Sequence, residues 1–270
     1  MKRSSFALPV PTFIRRWLSG FGRASGVTLD HAGGLGVLSW GVMSAIVRGK
    51  VRWKDVIRHM YIMGIQSLPI VFVTAALSGI VTSQQGGYQL ASTSPAYLLG
   101  TLVVQSVVLE LGPLLTAIVL VGRIGARITA ELGTMVVSEQ IEALEALGRD
   151  PVAILGAPRV IAGVVTMPLL VGFADVIGIG AGMVAANLST GLGTEAFLYG
   201  ARLFWHSWDL FYGFCKAVVF GLLIPLISVH MGLRTKGGAA GVGLTTTQAV
   251  MFMILALLIL DAMFPPLLLQ

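Results

Sequence analysis

Residues 97–122, YLLGTLVVQSVVLELGPLLTAIVLVG, form an unbroken apolar run with Glu110 near its middle. A helix of about 20 such residues crosses the hydrocarbon core of a bilayer. An acidic side chain at the centre of a membrane helix is disfavoured by roughly 2.5 to 3.5 kcal/mol, so Glu110 is expected to face a cavity or a partner rather than lipid. Arg123 and Arg127 follow at once, and then residues 131–147, a segment too charged to span. As a helix about 25 Å long, that segment carries Glu131, Glu139, Glu142 and Glu145 on one side and Val136, Val137, Ile141, Leu144 and Leu147 on the other. A membrane helix and a polar helix are thus joined directly.

The rest of the chain agrees with a membrane setting. Hydrophobic residues make up 56% of it and charged residues only 11%, against about 25% charged in soluble domains. Five runs are long enough to span: 61–83, 97–122, 160–188, 210–230 and 248–268. Lysine and arginine orient them. Ten precede residue 61, four lie between the second and third runs, two between the fourth and fifth, and only Arg202 falls on the other faces, with Lys216 inside the fourth run. By the positive-inside bias the N-terminus is expected in the cytoplasm and Gln270 outside. The fold class expected is an all-α integral membrane protein, with residues 1–60 as N-terminal interfacial helices and 61–270 as a five-span domain containing the polar helix 131–147.

Two pieces of the N-terminal region are apolar but short. In residues 11–23, Phe13, Ile14, Trp17, Leu18 and Phe21 share one helical arc, opposite Arg15, Arg16, Ser19 and Arg23, as in helices that lie at the membrane interface. Residues 35–47 are too short to span, and crossing there would split the basic residues between two sides, so a re-entrant or surface-lying helix is expected.

Several function classes are excluded. His31, His59, His206 and His230 are dispersed, without the spacing that sets two metal ligands on one helix face. Cys215 is alone, so no cysteine metal site or disulfide framework is available. Residues 238–245, GAAGVGLT, have the spacing of a phosphate-binding loop, but Leu244 stands where the lysine is needed. Nucleotide hydrolysis, if it drives this protein, belongs to a separate chain. No nucleophile organises Glu110, Asp175 and Asp261 into a catalytic set, and no cofactor is expected. The net charge of +6 follows from topology and implies no nucleic-acid partner. Glu110, Lys216 and Asp175 are the candidate substrate-pathway residues, because each is ionisable and sits within an apolar run; the alternatives are a mutual salt bridge between Glu110 and Lys216, and pairing with Lys216 or helix-packing hydrogen bonds for Asp175 and Asp261. Arg127, Glu131, Glu139, Glu142 and Glu145 are the candidates for coupling to a cytoplasmic partner, being held between two spans.

The residues also carry a resemblance. ELGPLLTA from Glu110, VGRIGA from Val121, TAELGTM from Thr129 and SEQIEAL from Ser138, with Pro158-Arg159, MPLL from Met167, KAVVF from Lys216 and Thr246-Thr247, resemble the MlaE/YrbE permease family over about 200 residues. That resemblance implies a dimeric permease of an ABC-type transporter moving phospholipid between the inner membrane and the envelope. Its partners would be a cytoplasmic ATPase of the MlaF type, a periplasmic MCE-domain protein and, in many members, a STAS-domain subunit. Leu109 departs from the pattern, standing where some relatives have arginine. The alternative from another class is a secondary transporter or channel working without ATP, with intramembrane carboxylates as ion carriers.

Overall fold

A computed structural model describes residues 33–49, 51–90 and 95–268. Those residues are helical throughout their ordered elements, with no strand among them. Helix α1, Gly33–Val47, is too short to cross a membrane, as expected for 35–47. The expected interfacial helix at 11–23 lies outside the described residues.

Among the described residues five helices are long and apolar enough to span, one for each run read from the sequence, and all are longer than hydropathy indicated. The first comprises α2 (Trp53–Met63) and α3 (Leu68–Leu90). They are joined by a 3-10 turn at Ile65–Ser67, where Gly64 and Pro69 interrupt the regular ladder. The second is nearly continuous from Leu98 to Val137: α4 (Leu98–Ser106), a π turn (Val107–Leu111), α5 (Gly112–Leu120), a second π turn (Val121–Gly125) and α6 (Ala126–Val137). The others are α8 (Ala157–Thr190, entered through a π turn at Val152–Gly156), α10 (Ser207–Leu233) and α11 (Gly238–Leu268). The glycine-rich stretch 238–243 is therefore the first turn of a helix, not a loop.

Residues 131–147 do not form one helix. Ser138 leaves the helical conformation, Glu139 adopts a left-handed backbone with φ 59°, and α7 (Gln140–Ala146) starts afresh. Ser138 caps the break, its hydroxyl donating to the Thr134 carbonyl at 2.8 Å, after the β-branched pair Val136-Val137 that helices accommodate poorly. Glu131 thus belongs to the end of the second span, while Glu139 lies at the break and Glu142 and Glu145 on α7 beyond it. Sequence reading also missed α9, Thr194–Leu203, which packs on α4: Thr101 donates to the Gly200 carbonyl at 2.5 Å, and Phe197 is fully buried.

Small residues set how closely the spans approach. A Cβ on Gly79 would overlap the Gly178 carbonyl, and Gly182 lies against Gly79 and Val103. The Gly178-x-x-x-Gly182 pair therefore seats α8 on α3 at backbone contact. Gly163 and Gly221 do the same between α8 and α10. The main apolar core gathers Leu120, Val121, Met167, Phe220, Met253 and Leu257 from the second to fifth spans, whereas Phe173, Val176, Val184 and Leu188 on α8 stay exposed, as lipid-facing residues do.

Candidate functional site

The site grows from Glu110-Leu111-Gly112-Pro113. Proline has no N–H, so the carbonyl four residues earlier, that of Leu109, loses its helical donor. The chain responds with the π turn, closed by the Gly112 N–H on the Val107 carbonyl. Lys216 fills the vacancy. Its Nζ donates to the Leu109 carbonyl at 3.2 Å and to Glu110 Oε2 at 2.6 Å. Gly213, one turn earlier on α10, makes this reach feasible, since a Cβ there would stand 2.9 Å from the Val108 carbonyl.

A third group joins from the last span. Asp261 Oδ1 lies 2.7 Å from Lys216 Nζ; it meets the ammonium as an ion contact, off the direction of a hydrogen bond. The Tyr212 ring lies 5.5 Å from the same nitrogen, within cation–π range. One ammonium thus ties together the second, fourth and fifth spans. Lys216 is completely buried, while the Glu110 side chain keeps 40% of its exposure. One cation faces two carboxylates.

Glu110 owes that exposure to a groove of about 850 Å³ between α3 and the second span. Thr74, Ser78, Thr82, Gln85 and Gln89 of α3 line it. At about 100° per residue these five fall within an arc of roughly 80°, and they extend about 22 Å along the helix. Opposite them are Ser106, Glu110 and the apolar Leu102, Leu111 and Leu115. Among the described lining residues no lysine or arginine appears.

The expected pathway residues therefore separate into three positions. Glu110 lines the groove, and Lys216 sits behind it as a buried partner. Asp175 joins neither: it does not line the groove, its Oδ1 lies against Gly112, and that oxygen has no hydrogen-bond partner. Asp261 was not among the site candidates; its place in an apolar span was the signal, and of the two carboxylates for which pairing with Lys216 was open, Asp261 makes that contact and Asp175 does not.

The coupling candidates divide as well. Glu131 Oε1 accepts from Arg159 at 2.7 Å. Arg159 is 3% exposed, Glu131 is 45% exposed, and Arg159 also donates to the Leu155 carbonyl at 2.6 Å. This pair fastens α6 to the start of α8. Arg127, Glu139, Glu142 and Glu145 are all exposed. Among the described residues, no three His, Cys, Asp or Glu side chains are grouped to hold a metal ion.

The chain matches the family model described as Permease MlaE over residues 56–266. It is 37% identical over 221 residues to a probable ABC transporter permease protein of Rickettsia felis, covering 82% of this chain and 85% of that one. A probable ABC transporter permease protein of Synechocystis is 36% identical over 214 residues, 79% and 81% of the two chains. The intermembrane phospholipid transport system permease protein MlaE of Haemophilus influenzae is 34% identical over 207 residues, 76% and 79% of the two chains.

Proposed function

Because this chain belongs to the MlaE permease family, we propose that it is the membrane subunit of an ATP-driven phospholipid transporter in the cell inner membrane, working as a homodimer. The observation that carries this reading is the groove with a half-exposed carboxylate inside a bundle of apolar helices. Such a groove offers a polar path for a headgroup along α3 while its open side leaves acyl chains in the hydrocarbon. Two copies meeting across their grooves would close a shared cavity.

ATP hydrolysis belongs to a separate ABC ATPase of the MlaF type, and the acidic turn after the second span is its docking surface. Glu139, Glu142 and Glu145 are exposed there, and Arg127 is exposed on α6, which leads into it. With that turn cytoplasmic, the N-terminus is inside and Gln270 outside, and a periplasmic MCE-domain protein and a STAS-domain subunit complete the assembly. The ATP-free transporter is less well supported, because Lys216 holds Glu110 and Asp261 while Asp175 stands apart, leaving no continuous carboxylate relay.

Purification in mild detergent tests the assignment: an ATPase should co-purify, and liposomes containing the complex should transfer phospholipid only with ATP. Glu139→Lys with Glu142→Lys should lower ATPase recovery in a pull-down at least severalfold with membrane insertion intact. Undiminished recovery would remove this turn from the docking surface, and transfer without ATP would remove the ABC assignment.

A further inference from the structure

Resting on the lipid-groove reading, we propose that the groove selects phospholipids whose headgroup carries a primary ammonium, with Glu110 as its acceptor. Charge complementarity argues for this. Lys216 contributes one positive charge and Glu110 and Asp261 two negative ones, so the cluster holds an excess negative charge in a low-dielectric setting. The Lys216 ammonium is spent on the Leu109 carbonyl and the two carboxylates, and it is fully buried. Glu110, by contrast, turns 40% of its side chain to the groove. A cation arriving from the groove is the complement, and an anionic headgroup would meet a carboxylate with no lining lysine or arginine among the described residues to offset it.

The remaining lining chemistry fits the other half of a zwitterion. Ser106 precedes Glu110 by four residues across the π turn, and both line the groove, so one headgroup is offered a carboxylate and a hydroxyl from the same wall. Neither Ser106 nor Gln85 or Gln89 has a hydrogen-bond partner among the described residues, and both glutamines are exposed on a span. Their amides line a largely apolar groove with donors unspent, and phosphate oxygens would accept from them. Thr74 and Thr82 already donate to the Ile70 and Ser78 carbonyls, which leaves their oxygens as acceptors. Ammonium is a three-fold donor; a quaternary choline group offers Glu110 charge but no N–H.

The complex reconstituted in vesicles of equal phosphatidylethanolamine, phosphatidylcholine and phosphatidylglycerol, then released for native mass spectrometry, reads the selectivity directly. Phosphatidylethanolamine should be retained about tenfold over phosphatidylglycerol, the discrimination of one charge-assisted hydrogen bond, with phosphatidylcholine between. Asp261→Asn removes the excess charge without altering the groove wall, so it should reduce the preference while lipid is still retained. Gln85→Leu should lower retention of all three lipids and leave their ratio unchanged. Equal retention, or enrichment of phosphatidylglycerol, in the unmutated protein overturns the selectivity and leaves the lipid groove standing. Retention of no lipid overturns both, as does a groove found filled by side chains of the second copy.

Discussion

Among the described residues, two buried cations are held by carboxylates, and the contrast between them separates a site from a clamp. Lys216 lies in mid-span, has two carboxylates, a carbonyl and an aromatic ring around it, and hands one carboxylate to a groove. Arg159 lies at the end of the bundle, has one carboxylate and its own helix carbonyl, and leaves Glu131 turned partly to solvent. Depth makes the difference. Where water cannot reach, each charge must be answered by protein, and an excess charge becomes a demand on whatever enters the groove. Where water can reach, Glu131 is hydrated with or without its partner, and the ion pair fixes helix positions.

Removing Lys216 should have the largest effect. Lys216→Met leaves Glu110 and Asp261 facing each other across an apolar contact and should destabilise the fold by about 3 to 5 kcal/mol, read from denaturation in detergent. Adding Glu110→Gln and Asp261→Asn should restore most of that stability, because neutral groups of similar shape replace a buried ion cluster well, but should not restore lipid transfer. Restored transfer in the triple variant would make the cluster purely structural and erase the contrast.

Arg159→Met should act less strongly, lowering stability by about 1 kcal/mol with transfer still measurable, since the methionine keeps the packing of the arginine stem. A loss as large as that of Lys216→Met would place Glu131 in an equally dry setting and merge the two regions. Salt gives the smallest and sharpest discrimination. The Debye length falls from about 10 Å at 0.1 M to about 3 Å at 1 M salt, so high salt should shrink the Arg159→Met difference by a few tenths of a kcal/mol and leave that of Lys216→Met unchanged. Equal sensitivity would mean that water reaches Lys216.

Every span was legible in the sequence because hydropathy is summed along contiguous residues, and so was the anomaly of Glu110 and Lys216, each charged within an apolar run. Their ends were less legible. Trp53–Met63 and Ala126–Val137 are amphipathic extensions of spans, and charge in a helix says that one face is wet without saying where the helix stops. The break at Ser138-Glu139 escaped notice because no glycine or proline marks it; Glu139 takes a left-handed conformation that its residue type does not favour.

By itself, then, the sequence determined that this is an all-helical membrane protein with charges it must hide, since length and apolar runs are properties of neighbours along the chain, and its motifs carried the resemblance to a permease family. The tertiary structure alone decided who answers those charges. Glu110 and Lys216 are separated by 106 positions, and whether they, Asp175 and Asp261 meet depends on the rotation of each helix about its axis. That rotation is fixed by contacts such as Gly79 on Gly178 and Gly213 on the Val108 carbonyl, and by the π turn that Pro113 imposes before α5. Asp261 was turned toward Lys216 and Asp175 toward Gly112 by packing between helices, which no pattern within a single helix records.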